Sequence, residues 1–300
     1  MREGFKKALL EQGKDPRFQV LTGDHGYALF DEFRSEFPKQ FHNVGVAESN
    51  LVTVAAGLAR GGYRPLIYAL AAFMPGRVFE FLKLQVALDL LPITVIGDGA
   101  GVVYSQLGHS HQSLEDLALA NALPGFNVFS PSSDEEMRRT IAHAVKSELP
   151  AYVRIGKADG GFEQSFEGET PRPYLARLGL GPIAIVTHGS MTSRILEIKE
   201  EFVTSMDVWS CPTISPLAGE FLGSLSERYS TVFVVEEHIE LGGLGSKLRD
   251  ALYLTETKVH IVGANFEFHH GVGSYEWTIR QRNLGEDQII RRIREACDQI

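Results

Sequence analysis

Carboxylates and histidines stand at three places where a strand-like run ends or a helix-like run begins. Asp24 and His25 follow the apolar run FQVLT, and Glu48 opens a helix-like run of small and apolar residues. His109 and His111 are separated by one residue further along. A carboxyl group in apolar surroundings can retain a proton, and an imidazole can transfer one near neutral pH. These residues therefore suit acid–base chemistry.

The same residues also have structural explanations. A glutamate in the first turn complements the helix dipole, so Glu48 alone does not indicate a site. An acid after a strand, such as Asp24, can cap a turn. His109 and His111 could also be surface residues of a mobile loop.

The first half of the chain alternates between the two kinds of run. The predicted strands are Arg64–Ala69, Ile93–Ile96, Asn127–Ser130 and Ala151–Ile155, and the predicted helices are Ser49–Arg60, Gly76–Asp89, Leu114–Ala120 and Asp134–Ser147. The last helix follows Ser133, and Glu136 lies at the spacing of a capping box. Alternation of this kind predicts a parallel sheet with helices on both faces.

A second, smaller α/β unit is predicted after a stretch rich in Gly, Glu and Pro. Its strands are Ile183–Thr187 and Thr231–Glu236, and its helices are Thr192–Phe202 and one that opens at the GGLG of residues 242–245. We therefore predict an α/β protein with two domains, each a mostly parallel sheet covered by helices. The domains are residues 1–160 and 182–300, and residues 161–181 form the linker.

Composition narrows the class of protein. The chain has 300 residues, a net charge of -9 and no basic block, so nucleic acid and anionic membranes are poor partners. Its two cysteines, Cys211 and Cys297, are too few for a disulfide framework. The amino-terminal run MREGFKKALLEQ lacks the features of a signal peptide, and no apolar run has membrane-spanning length. We expect a cytoplasmic protein.

Four sequence elements, in order along the chain, resemble the transketolase and deoxyxylulose-phosphate synthase superfamily. They are GVAES at residues 45–49, LAAFMPGRVFE at 70–80, SHQSLED at 110–116, and VEEH at 235–238 followed by GGLG at 242–245. One such element is weak evidence, but four in order cover nearly the whole chain. The chain resembles the section that carries the pyrimidine-binding domain and the transketolase C-terminal domain.

The resemblance implies thiamine diphosphate as the cofactor. Glu48 then matches the glutamate that hydrogen-bonds the aminopyrimidine ring nitrogen and promotes removal of the thiazolium proton, and so has a catalytic role. Phe73 matches the aromatic residue that stacks on that ring, although it could also be a core residue. Leu70 makes the neighbouring wall aliphatic, and Asp24 matches an acid near the cofactor.

On the substrate side, the resemblance assigns a catalytic proton relay and donor contact to His111. His25 and His109 are further candidates for substrate contact. Lys157 stands near the family's substrate-phosphate arginine, and a lysine can bind phosphate as a point charge. Arg154 could share that task.

The sequence departs from transketolases where they bind a sugar donor. Gly99 and Leu107 stand where the family has a histidine and an aspartate, which favours a donor with fewer hydroxyl groups. The run from Gly97 through Asp98 also imitates the GDG…N motif for magnesium and diphosphate, with Asn127 as its asparagine. We reject that interpretation, because Asn127 opens a strand.

No metal ligand is therefore assigned to this chain. Mg²⁺ and the diphosphate must be held by a companion subunit, and two copies of each chain would form a heterotetramer. The first hypothesis is thus a subunit of a split transketolase that transfers a two-carbon ketol unit from an atypical donor.

Two alternatives remain open. The chain could resemble deoxyxylulose-phosphate synthase or the β subunit of a 2-oxo acid dehydrogenase, as the run GAGVV and the late His269-His270-Gly271 suggest. It could instead be a non-catalytic scaffold that kept the fold, although the retained Glu48, Phe73 and His111 argue against this.

Overall fold

Two β-sheets organise the protein, as described by a computed structural model for residues 1–157, 170–265, 267–268 and 271–298. The first sheet has seven strands in the order β10-β5-β6-β4-β3-β1-β2, and the second has five in the order β12-β11-β8-β9-β7. The predicted two-domain α/β architecture is confirmed.

The first sheet is parallel except for one edge strand. Its strands are β1 Phe18–Thr22, β2 Phe41–Asn43, β3 Arg64–Leu70, β4 Thr94–Asp98, β5 Asn127–Phe129, β6 Ala151–Ile155 and the antiparallel β10 Thr213–Ser215. Side chains alternate between the two faces, as the period of a strand requires. Leu66 packs with one buried cluster and its neighbour Ile67 with the other. Both faces are therefore covered, which explains the continuous apolar runs.

Helices cover both faces of this sheet. They are α1 Arg2–Gly13, α2 Asp31–Glu36, α3 Glu48–Arg60, α4 Phe79–Phe81, α5 Asp116–Asn121 and α6 Asp134–Lys146. The α6 start is as predicted at Ser133, whose hydroxyl accepts the Glu136 N–H at 3.2 Å. The Glu136 carboxylate instead accepts the Ser132 N–H at 2.6 Å, so the reciprocal half of the capping box is absent.

The single helix predicted over Gly76–Asp89 is wrong in detail. A 3₁₀ turn, Gly76–Val78, precedes α4, and a π-helical stretch, Leu82–Ala87, follows it. The buried residues Val78, Leu82 and Val86 are four residues apart, a spacing that does not distinguish an α-helical from a π-helical turn over so short a stretch. Irregular helices of this kind are frequent near functional sites.

The second sheet is also parallel apart from one edge strand. Its strands are β7 Tyr174–Arg177, β8 Ile183–Thr187, β9 Asp207–Ser210, β11 Thr231–Ile239 and β12 Lys258–Ala264, and its helices are α7 Ser190–Glu197, α8 Glu201–Thr204, α9 Gly219–Arg228, α10 Leu244–Ala251, α11 Tyr275–Gln281 and α12 Glu286–Cys297. The helix predicted over Thr192–Phe202 is therefore two helices, α7 and α8.

The linker prediction needs a correction. Strand β7 falls within the predicted linker of residues 161–181 and pairs antiparallel with β9. This pairing covers what would otherwise be the open edge of the second sheet. Residues 161–169 of that stretch lie outside the described residues, as do His269 and His270.

The two halves of the chain share a core and a sheet. Strand β10 follows β9 of the second sheet, yet it pairs with β5 of the first. One buried apolar cluster includes Leu51 of α3 and Val232 of β11. Among the described residues, no helix is long and apolar enough to cross a membrane; the cytoplasmic location stays a prediction.

Candidate functional site

The candidate residues gather at the carboxyl ends of the parallel strands in the first sheet. Strands β1, β3 and β4 end in register, with Leu70 of β3 opposite Asp98 of β4. Crevices at this edge are the usual ligand sites of open α/β sheets. The loops that follow these strands carry Asp24, Phe73 and the two histidines at 109 and 111.

Glu48 is the first residue of α3, and its side chain is 4% exposed. Its Oε2 accepts a hydrogen bond from the Arg77 guanidinium at 3.0 Å. Its Oε1 is buried and has no hydrogen-bond partner. A buried carboxylate oxygen without a partner is costly, and this atom is therefore available to a bound group.

Phe73 is linked to Glu48 through Arg77 and lies near two of the histidines. The Arg77 guanidinium carbon lies 4.0 Å from the centre of the Phe73 ring, close enough for a cation–π contact. The His111 ring centre is 5.4 Å from that of Phe73 in an edge-to-face arrangement, and the His25 ring centre is 6.3 Å away. The structure thus brings Glu48, Phe73, His25 and His111 together.

The turn after β1 forms a second wall. Asp24 is exposed and has a positive φ of 66°, a conformation that aspartate tolerates better than most residues. The Asn43 amide donates to its carboxylate at 3.0 Å. His25 is half-buried, and its Nδ1 is buried without a hydrogen-bond partner. Leu70, the half-buried last residue of β3, lies three residues before Phe73.

The loop that carries the histidines is closed at its base by the second domain. Gly101 and Ser113 form a backbone bridge across it. The Glu237 carboxylate accepts the Val102 N–H at 2.7 Å. A side chain at Gly101 would meet that carboxylate at 2.1 Å, so the close approach requires glycine. Glu237 therefore helps to position the histidine loop.

His109 contacts residues of the second domain. Its ring packs edge-to-face on Phe268, with centres 5.2 Å apart, and lies 3.4 Å from the Arg282 guanidinium. Arg282 also donates to Gln112 at 2.8 Å. These residues line a cavity of about 320 Å³ between the domains. His109 and His111 thus face different surroundings.

The two basic candidates have different environments. The Lys157 ammonium lies 4.6 Å from the Tyr275 ring centre and is half-buried. Arg154 is 1% exposed, and its Nε donates to Asp116 at 2.9 Å. A guanidinium nitrogen of Arg154 also donates to the Glu237 carbonyl at 2.7 Å.

The burial of Arg154 argues against its suggested substrate-phosphate role. Its charge is balanced by the buried carboxylate of Asp116. Residues in β6 alternate between the two faces of a sheet that is covered on both sides, and the sequence run AYVRI does not reveal that its arginine lies inside.

The positions that depart from the family pattern have physical reasons. Gly99 has a φ of 71°, and a side chain there would meet the Tyr104 ring at 2.0 Å. The Tyr104 hydroxyl donates to Asp98 at 2.8 Å. Leu107 is 58% exposed. The wall on this side of the loop is thus aromatic and aliphatic.

The rejected GDG…N interpretation is inconsistent with the register. Asp98 ends β4 opposite Ile155, whereas Asn127 begins β5 opposite Ala151. Four residues of strand separate these levels by about 13 Å. Among the described residues there is no group of three His, Cys, Asp or Glu side chains that could hold a metal ion.

The VEEH element of residues 235–238 makes structural contacts. The Glu236 carboxylate accepts the N–H groups of Leu244 and Gly245 at 2.9 and 3.0 Å, at the start of α10. His238 Nδ1 donates to the Ile239 carbonyl at 2.6 Å, and its Nε2 accepts the Ala118 N–H at 3.3 Å. The element therefore joins the second sheet to α10 and α5.

Sequence reasoning missed Arg77, Glu237 and Arg282 as contributors to the site. Arg77 lies within the family-like segment, four residues after Phe73, and this spacing was a usable signal. Glu237 and Arg282 approach the loop from the second domain, over sequence separations of 135 and 170 residues. No local pattern indicates such long-range contacts.

Comparison with family models assigns both domains. The family described as "Transketolase, pyrimidine binding domain" matches residues 1–161, and "Transketolase, C-terminal domain" matches residues 181–272. The first match covers the strands and loops that carry the candidate site.

Similar proteins support the same assignment. A "Putative transketolase C-terminal section" of Methanocaldococcus jannaschii is 29% identical, over 98% of this chain and 95% of its own length. A subunit of the apulose-4-phosphate transketolase of Phocaeicola vulgatus is 28% identical, over 87% and 86%. The 1-deoxy-D-xylulose-5-phosphate synthase of Corynebacterium diphtheriae is 30% identical, but the match spans only 42% of its length.

Solved structures agree. A structure described as "Split gene transketolase, inactive beta4 tetramer" has a TM-score of 0.85 at 29% identity, covering 98% of this chain and 97% of that one. The transketolase of Campylobacter jejuni shares the fold with a TM-score of 0.77 at 18% identity, covering 98% of this chain and 46% of that one. The chain therefore belongs to the transketolase family and spans its pyrimidine-binding and C-terminal domains.

Proposed function

We propose that this chain is one component of a thiamine-diphosphate-dependent, transketolase-like enzyme that transfers a two-carbon ketol unit and is active only with a companion subunit. The observation that carries the proposal is the buried Glu48 Oε1, which has no hydrogen-bond partner, while the other oxygen of the same carboxylate bonds to Arg77. The family assignment supports the same class of chemistry.

The residues present fit the pyrimidine half of the cofactor. Glu48 would bind the ring nitrogen through Oε1, because that atom is buried and lacks a hydrogen-bond donor. Phe73 would stack on the ring, and Leu70 and Asp24 would border it. When bound, the cofactor supplies a carbon nucleophile that can attack a substrate carbonyl.

The other site residues would act on the substrate. His111 contacts Phe73, so its imidazole would lie close to the cofactor and could transfer a proton to or from the substrate. His25 Nδ1 is a buried polar atom in the same cluster. Lys157 could attract a substrate phosphate, and His109 could contribute to substrate contact.

The diphosphate and Mg²⁺ would be held by the companion subunit. Two relatives are named as a section and as a subunit of a transketolase. Two copies of each chain would form a heterotetramer with cofactor sites between unlike subunits.

Calorimetric titration of thiamine diphosphate with Mg²⁺ tests the proposal. The titration is made into this chain alone and into its complex with the companion subunit. We expect tight binding only in the complex, and loss of that binding in Glu48→Ala. Glu36→Ala is the control, since Glu36 is exposed at the end of α2.

Binding that survives in Glu48→Ala would contradict the assignment of this residue. A complex that does not bind the cofactor would contradict the proposed class of enzyme and favour the non-catalytic scaffold.

A second candidate activity uses a donor with few hydroxyl groups, as in a deoxyxylulose-phosphate-synthase-like or 2-oxo acid enzyme. Gly99 has no room for a side chain beside Tyr104, and Leu107 exposes an aliphatic group where transketolases carry a polar one. One relative is a deoxyxylulose-phosphate synthase. Such a wall favours a methyl group over a hydroxyl by about 10²-fold at most.

Donor competition distinguishes the two activities. The complex is supplied with pyruvate or a ketose phosphate as the donor and the same aldehyde acceptor, and the products are quantified. Carbon dioxide release from pyruvate supports the second candidate, whereas ketol transfer from the ketose alone contradicts it.

A further inference from the structure

Arg77 contacts both residues that are proposed to bind the cofactor ring. It donates to Glu48 Oε2 at 3.0 Å, and its guanidinium lies 4.0 Å from the Phe73 ring centre. A guanidinium is planar and can donate hydrogen bonds at its edge while its face lies on an aromatic ring. The Arg77 side chain thus bonds to Glu48 and packs on Phe73 at the same time.

The two oxygens of Glu48 are left in different states. Oε2 is bonded to Arg77, whereas Oε1 is buried and unpartnered. Without Arg77, the carboxylate could rotate and would lose its one side-chain partner among the described residues. Arg77 therefore fixes the orientation of the carboxylate and leaves one of its two equivalent oxygens unpartnered.

Arg77 also restricts Phe73. It covers one face of the ring, so an incoming ring that stacks on Phe73 has the opposite face available. The Arg77 side chain is 50% exposed, so its guanidinium is only partly desolvated.

We propose that Arg77 is a positioning residue for the cofactor's aminopyrimidine: it clamps Glu48 Oε2 and one face of Phe73, which leaves Oε1 and the other face for the ring. This inference rests on the proposed function. It assigns Arg77 no contact with the reacting atoms.

Binding of thiamine diphosphate with Mg²⁺ to the complex of this chain and its companion provides the test. Arg77→Met should raise the dissociation constant about tenfold or more, the size expected for a lost hydrogen bond to a charged group. Arg77→Lys should recover part of the affinity, because an ammonium can still donate to Oε2 but cannot lie flat on Phe73.

A cofactor analogue separates positioning from a general structural effect. The analogue carries C–H in place of the ring nitrogen that Glu48 would bind. If Arg77 acts through Glu48 Oε1, Arg77→Met should weaken binding of the analogue only about threefold or less, because the bond it supports is already absent. A misfolded site would weaken both ligands equally.

Arg60→Met is the matched control. Arg60 is 48% exposed and bonds to Asp89 at 2.6 Å, at the far end of α3 from Glu48. This variant should bind both ligands as the wild type does.

Three outcomes would overturn the inference. Equal losses for cofactor and analogue would make Arg77 a structural residue, and tighter cofactor binding by Arg77→Met would mean that Arg77 blocks the ring's place. A wild-type complex that binds neither ligand would overturn the proposed function and this inference with it.

Discussion

Two buried glutamates, Glu48 and Glu237, differ in how completely their carboxylates are hydrogen-bonded. Glu48 has one oxygen bonded to Arg77 and the other without a partner. Glu237 is saturated: Oε1 accepts the Val102 N–H at 2.7 Å, and Oε2 accepts the Tyr275 hydroxyl at 2.7 Å and the Ser190 hydroxyl. Both stand in family-like sequence elements.

This difference in hydrogen bonding provides a criterion that separates structural from functional acidic residues. A saturated buried carboxylate stabilises the native state through its hydrogen bonds. An unpartnered oxygen destabilises it and is retained where a ligand completes the set. The satisfaction of the carboxylate, rather than its burial or its place in a motif, distinguishes the two residues.

The largest expected effect comes from Glu48→Gln. Turnover by the complex should fall about 10³-fold, because an amide cannot share a proton with the cofactor ring. The melting temperature should be almost unchanged, since the substitution leaves the volume and burial of the side chain the same. Steady-state kinetics and thermal unfolding measure the two quantities. A large loss of stability with a modest loss of turnover would mean that Glu48 is a structural residue.

Glu237→Gln should mainly reduce the stability of the protein. One carboxylate oxygen becomes an NH₂ group that faces a donor, and we expect the free energy of unfolding to fall by about 3 kcal/mol. Denaturant titration measures it. Tyr275→Phe, which removes only one of the three bonds, serves as the graded control. An unchanged free energy of unfolding would show that the hydrogen bonds to Glu237 do not stabilise the protein.

The neighbouring His238 should make stability depend on pH. Burial lowers its pKa from 6.5, against the opposing charge of Glu236, and its bonds to Ile239 and Ala118 fit the neutral ring. The unfolded chain then takes up the proton first, so stability is full above about pH 6.5 and falls below it, by at most about 1.4 kcal/mol per pH unit.

Denaturation at pH 7, 6 and 5 measures this slope, and His238→Gln should flatten it. The same slope in wild type and variant would exclude His238 as the source.

The smallest effect is expected at a surface glutamate. Hydrogen bonds from Arg138 lower the pKa of Glu135 to about 2, so its stabilisation is present above pH 4.5 and is lost as the pH falls toward 2. Its side chain is 41% exposed, and solvent screening limits Glu135→Gln to about 1 kcal/mol or less at pH 7. Thermal unfolding at low and high salt measures this, and a larger, salt-independent loss would contradict it.

Much of the fold was predictable because its strands are short, apolar and regularly spaced. Ala151–Ile155 and Ile183–Thr187 have the predicted bounds, and the helix at Glu48 begins within one residue of prediction. The edge strands β7 and β10 were not predicted, because edge strands are short and half-exposed and carry little periodicity.

The candidate site was predictable only where its residues are close in sequence to a family-like element. Phe73 and His111 were found in this way, and the structure brings them into contact. The burial of Arg154 and the approach of Glu237 depend on tertiary packing, which no local window contains. The roles proposed for Glu48 and His111 await the experiments above.

Strand β10 determines what happens when the two domains are expressed separately. It is encoded after most of the second sheet but completes the first by pairing with β5. A fragment that ends near residue 160 would leave the β5 edge uncovered and prone to pair with other chains. Separate expression of the two domains should therefore yield aggregates, whereas the intact chain should melt in a single cooperative transition.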